Sequence, residues 1–365
     1  MATPKYQQLF EEMKTDILSG RYRYGQKMPS EAAMIKRSGM SRITVVRAFR
    51  ELQQAGLVDR IAGSGTFVRG ASLETRAYLF GLLIPELGET EIFAPICRAI
   101  ASAPAAKPHA LLWGNAGMGS TAKQALSLAE QFVSRGVDGV FFAPLEFGAH
   151  ANKVNHRILR KLKRAHIATV LLDRRVSRLS SRDRADITGI NHRHAAYIAT
   201  EHLLSGGCRK VCFVTSGRTS SSVADRQAGF LQAVSDQHLK VHGKQNFDLA
   251  SGAAELRRWI RGSKPLGMVC VNDKVAGQVL HLVGLWKLAV PQDIRLTGID
   301  DVGFASILPV PLTTVKQPIN QIGETALQLM LERIHSADMP TREVLLDGEL
   351  IVRKSSERQV ASIGE

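Results

Sequence analysis

From residue 79 onward, short apolar runs recur at intervals that leave room for a helix between them. The runs are Leu79–Ile84, Ala110–Trp113, Gly139–Phe142, Thr169–Leu172, Ile187–Ile190, Lys210–Thr215, Gly267–Val271 and Ile294–Ile299. Amphipathic stretches separate many of them: Ile92–Ala103, Thr121–Arg135, Lys153–Ala165, Ala195–Leu204, Ala224–Asp236, Asp273–Leu285 and Ile319–His335. Continuously apolar strands alternating with helices predict parallel sheets covered on both faces. About 280 residues of this pattern exceed one doubly wound sheet, so two lobes are expected, with a ligand between the strand C-termini.

The first 70 residues follow a different rule. Leu9, Met13 and Ile17 recur every four residues and predict a helix over Gln7–Ser19. Ser30 is a candidate N-cap for a short second helix, and Ser41 for a third that ends before Gly56. Val45, Ala48, Phe49 and Leu52 fall on one side of that third helix, and Ile43, Arg47, Arg50 and Gln54 on the other. Gly56-Leu-Val-Asp-Arg-Ile61 and Thr66-Phe-Val68 flank a Gly63-Ser-Gly65 turn and predict a hairpin. Three helices and a hairpin predict a winged helix-turn-helix, whose third helix can enter a major groove. A dinucleotide-binding turn would lead from a strand into a helix, whereas this one leads into a strand.

Charge adds to that reading. The chain of 365 residues carries a net +15, and the first 70 hold 12 Lys and Arg against 6 Asp and Glu. The basic density at the N-terminus suits a polyanion. A second basic stretch, Asn152 to Arg184, is expected to be mostly a solvated helix face plus a loop, with a second nucleic-acid contact as the alternative. The N-terminus has no apolar signal region and no run of about 18 apolar residues occurs. A cytoplasmic protein is therefore expected. The four cysteines are expected to be reduced core thiols. His192 and His194 are expected to be surface or capping residues, not metal ligands. No cofactor or metal motif stands out.

The N-terminal series Tyr6-Gln-Gln-Leu9, Ile17-Leu-Ser-Gly20, Met28-Pro-Ser-Glu31, Ser41-Arg-Ile-Thr-Val45, Gly56-Leu-Val58 and Gly63-Ser-Gly-Thr-Phe-Val68 resembles the GntR family of bacterial winged-helix regulators. The resemblance implies DNA contacts from Ser41, Arg42, Thr44, Arg47, Arg50, Gly63, Ser64 and Gly65. Two arginines usual in that family are replaced, at Ala32 or Ala33 and at Val46, so the operator sequence does not carry over.

The rest of the chain resembles the lactose/galactose-repressor (LacI/GalR) effector domain, itself similar to periplasmic sugar-binding proteins. The residues that carry this are Phe80-Gly-Leu-Leu-Ile-Pro85, Asp173-Arg174, Ala199-Thr-Glu-His-Leu-Leu204, Arg226, Gly229-Phe230, Val271-Asn-Asp273, Gly298-Ile-Asp-Asp301 and Pro311-Leu-Thr-Thr-Val315. The resemblance implies effector contacts from Phe93, Asp173, Arg226, Asn272 and Asp300. A GntR-like head on a LacI-like body is similar to arabinose-responsive regulators.

The expected architecture is thus α/β. Residues 1–70 form a winged helix-turn-helix, 71–77 a linker, and 78–365 a two-lobed effector-binding and dimerisation domain. The expected function is a homodimeric, DNA-binding transcription regulator, acting as a repressor and controlled by a carbohydrate-like effector. The alternative is an α/β sugar- or nucleotide-processing enzyme with a basic regulatory head. That alternative needs a phosphate loop or a catalytic pair, and the sequence offers neither. Asp300 and Asp301 are adjacent on a strand end, so their side chains diverge and one ligand contact plus one structural role is expected.

Overall fold

The fold comes from a computed structural model that describes residues 4–18, 21–22, 25–61, 64–68, 77–85, 91–113, 121–146, 150–176, 185–217, 220–237, 246–260 and 265–357. The chain divides into two compact units, Met1–Ala77 and Tyr78–Glu365.

The first unit contains α1 (Lys5–Leu18), α2 (Glu31–Ser38), α3 (Arg42–Gln54), β1 (Val58–Ile61) and β2 (Gly65–Val68). Ser30 and Ser41 each accept a hydrogen bond from the amide three residues on, at Ala33 and Thr44, and so start α2 and α3. Gly39 ends α2 in the left-handed conformation that glycine adopts without strain. Leu9, Met13, Met34, Val45, Phe49 and Leu52 are buried together as the core of this unit. β1 and β2 pair antiparallel from Val58–Val68 to Ile61–Gly65. Met28 N–H donates to the Thr66 carbonyl and Val68 N–H to the Gln26 carbonyl, so Gln26–Met28 lines the open edge of β2. Arg60 pairs with Glu31 at 2.7 Å and ties the hairpin to α2.

The second unit holds two six-stranded sheets. Lobe 1 opens with β3 (Leu79–Leu83), α4 (Phe93–Ser102), β4 (Ala110–Trp113), α5 (Thr121–Ser134), β5 (Gly139–Phe142), α6 (Ala151–Arg164), β6 (Ala168–Leu172) and β7 (Asp186–Ile190). Lobe 2 follows with α7 (His192–Ser205), β8 (Lys210–Thr215), α8 (Ser221–Asp236), β9 (Asn246–Asp248), α9 (Ala253–Trp259), β10 (Leu266–Cys270), α10 (Asp273–Leu285), β11 (Ile294–Asp300) and β12 (Thr313–Lys316). The chain then returns to lobe 1 for α11 (Ile319–His335) and β13 (Glu343–Leu346), and crosses once more to add β14 (Glu349–Ile351) to lobe 2.

The sheet of lobe 1 has the order β4-β3-β5-β6-β7-β13 and is parallel throughout. The sheet of lobe 2 has the order β9-β8-β10-β11-β12-β14, with only β14 antiparallel. β5 and β10 are buried along their whole length, as central parallel strands must be. Strand order reverses between β3 and β5 in lobe 1 and between β8 and β10 in lobe 2. Ligands of such sheets bind beyond the strand C-termini at these reversals. All four cysteines are free and buried, and burial pushes the Cys97 thiol up to about 12. No helix among the described residues is long and apolar enough to cross a membrane.

Candidate functional site

In the first unit, the surface that can meet a ligand is α3. Its buried side carries Val45, Ala48, Phe49 and Leu52, and its outer side exposes Arg42, Ile43, Arg47 and Arg50. Ile43 is 82% exposed on this side, beside Arg42 and Arg47. The Arg47 guanidinium lies over the Tyr6 ring of α1, 3.7 Å from its centroid. Arg42 and Arg50 make no ion pair among the described residues. Ser41 and Thr44 share a 2.8 Å hydroxyl contact at the helix start. Ser64 and Gly65 lie in the hairpin turn, where Gly65 has φ +123 and its backbone lies against the Lys27 side chain. Gly63 lies outside the described residues.

In the second unit, Asp173, Arg226 and Asp300 meet beyond the strand C-termini, with Phe93 nearby. Arg226, on the inner face of α8, is buried and is the centre of the cluster. Its Nη2 donates to Asp300 Oδ1 at 3.0 Å, its Nη1 to the Val271 carbonyl, and its Nε to His192 Nδ1 at 3.1 Å. Because His192 Nδ1 accepts, its proton sits on Nε2, which donates to the Asp173 carbonyl oxygen at 2.8 Å. Gln317 donates its amide to the same Asp300 oxygen at 2.8 Å. Asp173 and Asp300 both have positive φ, +69 and +121. Such backbone is strained for a residue with a side chain and concentrates at ligand sites. Gly189 makes the first turn possible, since a Cβ there would come within 2.8 Å of the Asp173 Cα.

Carboxyl groups outnumber guanidiniums in the cluster, Glu146, Asp173 and Asp300 against Arg174 and Arg226. Arg174 is buried, pairs with Glu146 at 2.6 Å, and its guanidinium lies 5.2 Å from the Phe93 ring centroid. Burial alone would push the Asp173 carboxyl up. His192, Arg174 and Arg226 outweigh it and hold that group below the usual carboxylate range. At Asp300 burial wins over Arg226 and Gln317, and its carboxyl is raised. Asp273, wholly buried at the start of α10, is pushed up to about 7 by burial and then by Asp300. It accepts from Thr314 Oγ1 and from Val302 N–H, so it braces β12 and the turn after β11. Asp301 pairs instead with Arg353 at 2.7 Å.

A ring of polar contacts closes across the two lobes. Arg175, just after β6, pairs with Asp225 on α8 at 2.7 Å and bidentately with Glu343 on β13. Ser220 donates to Glu146 at 2.6 Å, and Ser221 Oγ accepts from Arg175 N–H at 3.0 Å.

Several of these residues have structural partners of their own. Asn272 accepts from Val275 N–H at 2.9 Å and caps α10. His192 is not a surface or capping residue, because it is buried between Asp173 and Arg226; His194 is the half-exposed one, 3.3 Å from Asp347. Arg174 is likewise buried rather than solvated and Arg175 is only partly exposed, and each is held by carboxylates 28 to 168 residues away in sequence. Residues 177–184 lie outside the described residues. Glu146, Arg174, His192 and Gln317 join the cleft although sequence reasoning did not single them out as site residues. Arg174 had a signal as the second member of the Asp173-Arg174 pair, and Gln317 lies two residues beyond the Pro311–Val315 run. No group of three His, Cys, Asp or Glu among the described residues is placed to hold a metal ion.

Residues 5–68 match the family described as bacterial regulatory proteins, gntR family, and residues 200–356 match a periplasmic binding protein-like domain. The arabinose metabolism transcriptional repressor of Geobacillus stearothermophilus is 26% identical over 367 residues, covering 97% of this chain and 98% of that protein. The repressor PurR of Aliivibrio salmonicida is 29% identical over 170 residues, covering 45% of this chain and about half, 51%, of its own length. Among solved structures, the transcription regulator CcpA of Lactococcus lactis superposes with a TM-score of 0.64 at 20% identity, over 77% of this chain and 100% of that one.

Proposed function

Since the chain joins a head of the bacterial regulatory gntR family to a periplasmic-binding-protein-like body, we propose that it is a ligand-controlled transcriptional repressor that binds a DNA operator as a homodimer. The observation that carries the DNA reading is the outer side of α3. Arg42 and Arg50 are exposed there with no ion-pair partner among the described residues, beside an exposed Ile43. Such a face offers directional donors to guanine and an apolar contact to a thymine methyl. Ser41 and Thr44 face the phosphates from the helix start, Arg47 is held against Tyr6, and Gly63, Ser64 and Gly65 bring the hairpin backbone close to the duplex.

The effector is an uncharged polyol, a sugar in the first instance. The buried guanidiniums of Arg174 and Arg226 are already matched by Glu146, Asp173 and Asp300, so a phosphate or second carboxylate finds no spare cation. Vicinal hydroxyls suit the acceptors that remain. Gln317 Oε1 is buried without a hydrogen-bond partner among the described residues, and Asp173 Oδ1 is met only by His192 Nε2 at 3.3 Å. Phe93, Asn272, Asp173, Arg226 and Asp300 are the proposed effector contacts. Effector binding shifts the population between lobe geometries, and the shift alters how the two heads of the dimer meet a two-fold operator.

The cleft binds and does not turn over its ligand. Asp300 and Asp301 are committed to different arginines, Arg226 and Arg353, and so do not form an acid–base pair. The proposed site of action is the cytoplasm. The test is a thermal-shift series with neutral monosaccharides, their phosphate esters and purines, combined with a gel-shift on DNA upstream of the protein's own gene. Stabilisation by a neutral sugar, with release or strengthening of the gel-shift, supports the reading. Stabilisation only by phosphorylated compounds overturns the effector class, and an absent gel-shift at low salt overturns the DNA reading.

A further inference from the structure

We propose that the exposed face of α6, on the body of the protein, is a second, sequence-independent DNA contact that holds phosphates flanking the operator. The proposal rests on the DNA-binding reading above and adds a surface that reading does not use. Six of the fourteen residues of α6 are Lys or Arg, and none is Asp or Glu. Its buried side is ordinary: Ile158, Leu159 and Leu162 enter the core, and Asn155 bonds both the amide and the carbonyl of Leu145. The outer side is a stripe of Lys153, Arg157, Arg160 and Arg164, all exposed. Their spacing of four, three and four residues keeps them within one narrow sector of the helix. Lys161 and Lys163 flank the stripe.

The fold does not account for this face. Cations in the last turn, Lys161, Lys163 and Arg164, complement the carbonyl end of the helix. Lys153 and Arg157 sit in the first half, where the helix dipole opposes them. Lys153 with Arg157, Arg157 with Lys161, and Arg160 with Arg164 are like charges four residues apart, each costing a few tenths of a kcal/mol, roughly 0.2–0.5. Ion pairing relieves little of it. Lys161 meets Glu130 of α5 at 2.7 Å, and Arg157 lies within electrostatic reach of the same carboxylate, but Lys153, Arg157, Lys163 and Arg164 have no ion pair among the described residues. Self-repulsion kept without a structural return is what a polyanion-binding surface requires.

The occupant is a DNA backbone more readily than an acidic protein. The exposed face has no aromatic or aliphatic anchor, and such anchors carry the binding energy of protein interfaces. Phosphate binding needs only charge. Lys153 to Arg164 spans roughly 16 Å at about 1.5 Å per residue, and a duplex carries one charge per about 1.7 Å of its axis.

The experiment uses the full chain and a fluorescein-labelled 60-bp duplex of arbitrary sequence, titrated by anisotropy between 50 and 300 mM salt. The test variant combines Arg157→Gln, Arg160→Gln, Lys163→Gln and Arg164→Gln. Its two halves, Arg157→Gln with Arg160→Gln and Lys163→Gln with Arg164→Gln, are also made, and thermal midpoints check folding. A control variant removes four exposed cations of lobe 2, at Arg258, Lys287, Lys316 and Lys354. At about 0.9 per phosphate contact, the slope of log affinity against log salt is expected to become shallower by about 2 to 4 for the full variant and by about half that for each half. The control should leave the slope within about 0.5 of the parent. Equal slopes for parent and α6 variant, or an equal loss in the control, overturn the proposal. So does a loss confined to binding of polyglutamate, which assigns the face to an acidic protein. Failure of the parent to bind any duplex overturns instead the DNA reading on which this one rests.

Discussion

Arg226 and Asp300 are 3.0 Å apart, yet the pair does not bring the Asp300 carboxyl down to its ordinary range. Both groups are buried, and the loss of water around the carboxylate exceeds what the guanidinium returns. The pair is therefore held by geometry. The Val271 carbonyl, His192 and Gln317 fix the two side chains in place from three other elements. Removing one member leaves the other buried and uncompensated.

Arg226→Ala should therefore destabilise the body by about 3 kcal/mol. The loss should be larger at pH 8 than at pH 5. Without Arg226 the raised Asp300 carboxyl rises further, and an acid raised in the folded state contributes stability at low pH that is lost as pH rises through its folded value. Chemical denaturation at the two pH values measures it. An equal loss at both would mean that the charge of Asp300 is not the cause.

Asp273 sets a second pH dependence. Its carboxyl stands at about 7 in the fold against 3.8 ordinarily, so its stabilising effect is complete below about pH 4 and lost by pH 7 to 8. The change is on the order of 4 kcal/mol at about 1.4 kcal/mol per unit. Asp173 acts oppositely but in another window. Its lowered carboxyl supports the fold above pH 4 and fails only in acid. The melting temperature should fall between pH 5 and pH 8, and Asp273→Asn should flatten that fall, its one amide oxygen keeping the Val302 N–H bond while its NH2 donates to the Thr314 hydroxyl.

Arg175 joins the lobes from a partly exposed position, so its ion pairs contribute little to stability. Arg175→Ala should cost about 1 kcal/mol or less. It should nonetheless shift the lobes toward an open arrangement, because Asp225 and Glu343 lose their common partner. Small-angle scattering of the effector-free variant is expected to give a larger radius of gyration than the parent, and a neutral effector should reduce the difference.

On α3, Arg42 serves recognition alone, whereas Ser41 both caps the helix and faces the phosphates. Ser41→Ala removes the N-cap and should cost the head about 1 kcal/mol. Arg42→Ala should leave the melting of the head unchanged and weaken operator binding, with the salt slope lowered by about one unit. Differential scanning calorimetry and anisotropy on the same samples distinguish the two.

Gly229 marks where α7 and α8 touch. A Cβ there would lie 1.9 Å from the Arg193 carbonyl oxygen, so Gly229→Ala must push two helices apart. A loss of about 2 kcal/mol or more is expected, together with weaker effector binding, since Arg226 is one turn away on α8. Calorimetric titration with the effector found in the thermal screen measures the second effect.

Local pattern made much of this legible. The central strands are apolar runs with no competing reading, and Ser30, Ser41 and Gly39 announce their helix ends. Arg226 could be placed because its helix start follows a strand end. The parts that escaped lack local signal. β9 is three residues long with only Phe247 buried, and β13 and β14 are short edge strands, exposed in part. Gln26–Met28 becomes a strand edge only when the hairpin is beside it. His192 looked like a cap because its partners, Asp173 and Arg226, are 19 and 34 residues away. Arg175 meets Glu343 across 168 residues, a distance no sequence window spans.

Three passages of the chain between the lobes decide the order in which the protein can become functional. The head is continuous and ends by residue 68, so a growing chain can fold it early. Lobe 1 is not continuous. Its sheet lacks its last strand, and one face lacks the cover of α11, until residues 319–346 have been made. The DNA-reading part thus exists before the part that restrains it. A product that stops anywhere between residues 70 and 318 would carry a complete head on an unfinished sensor, and would be deaf to its ligand.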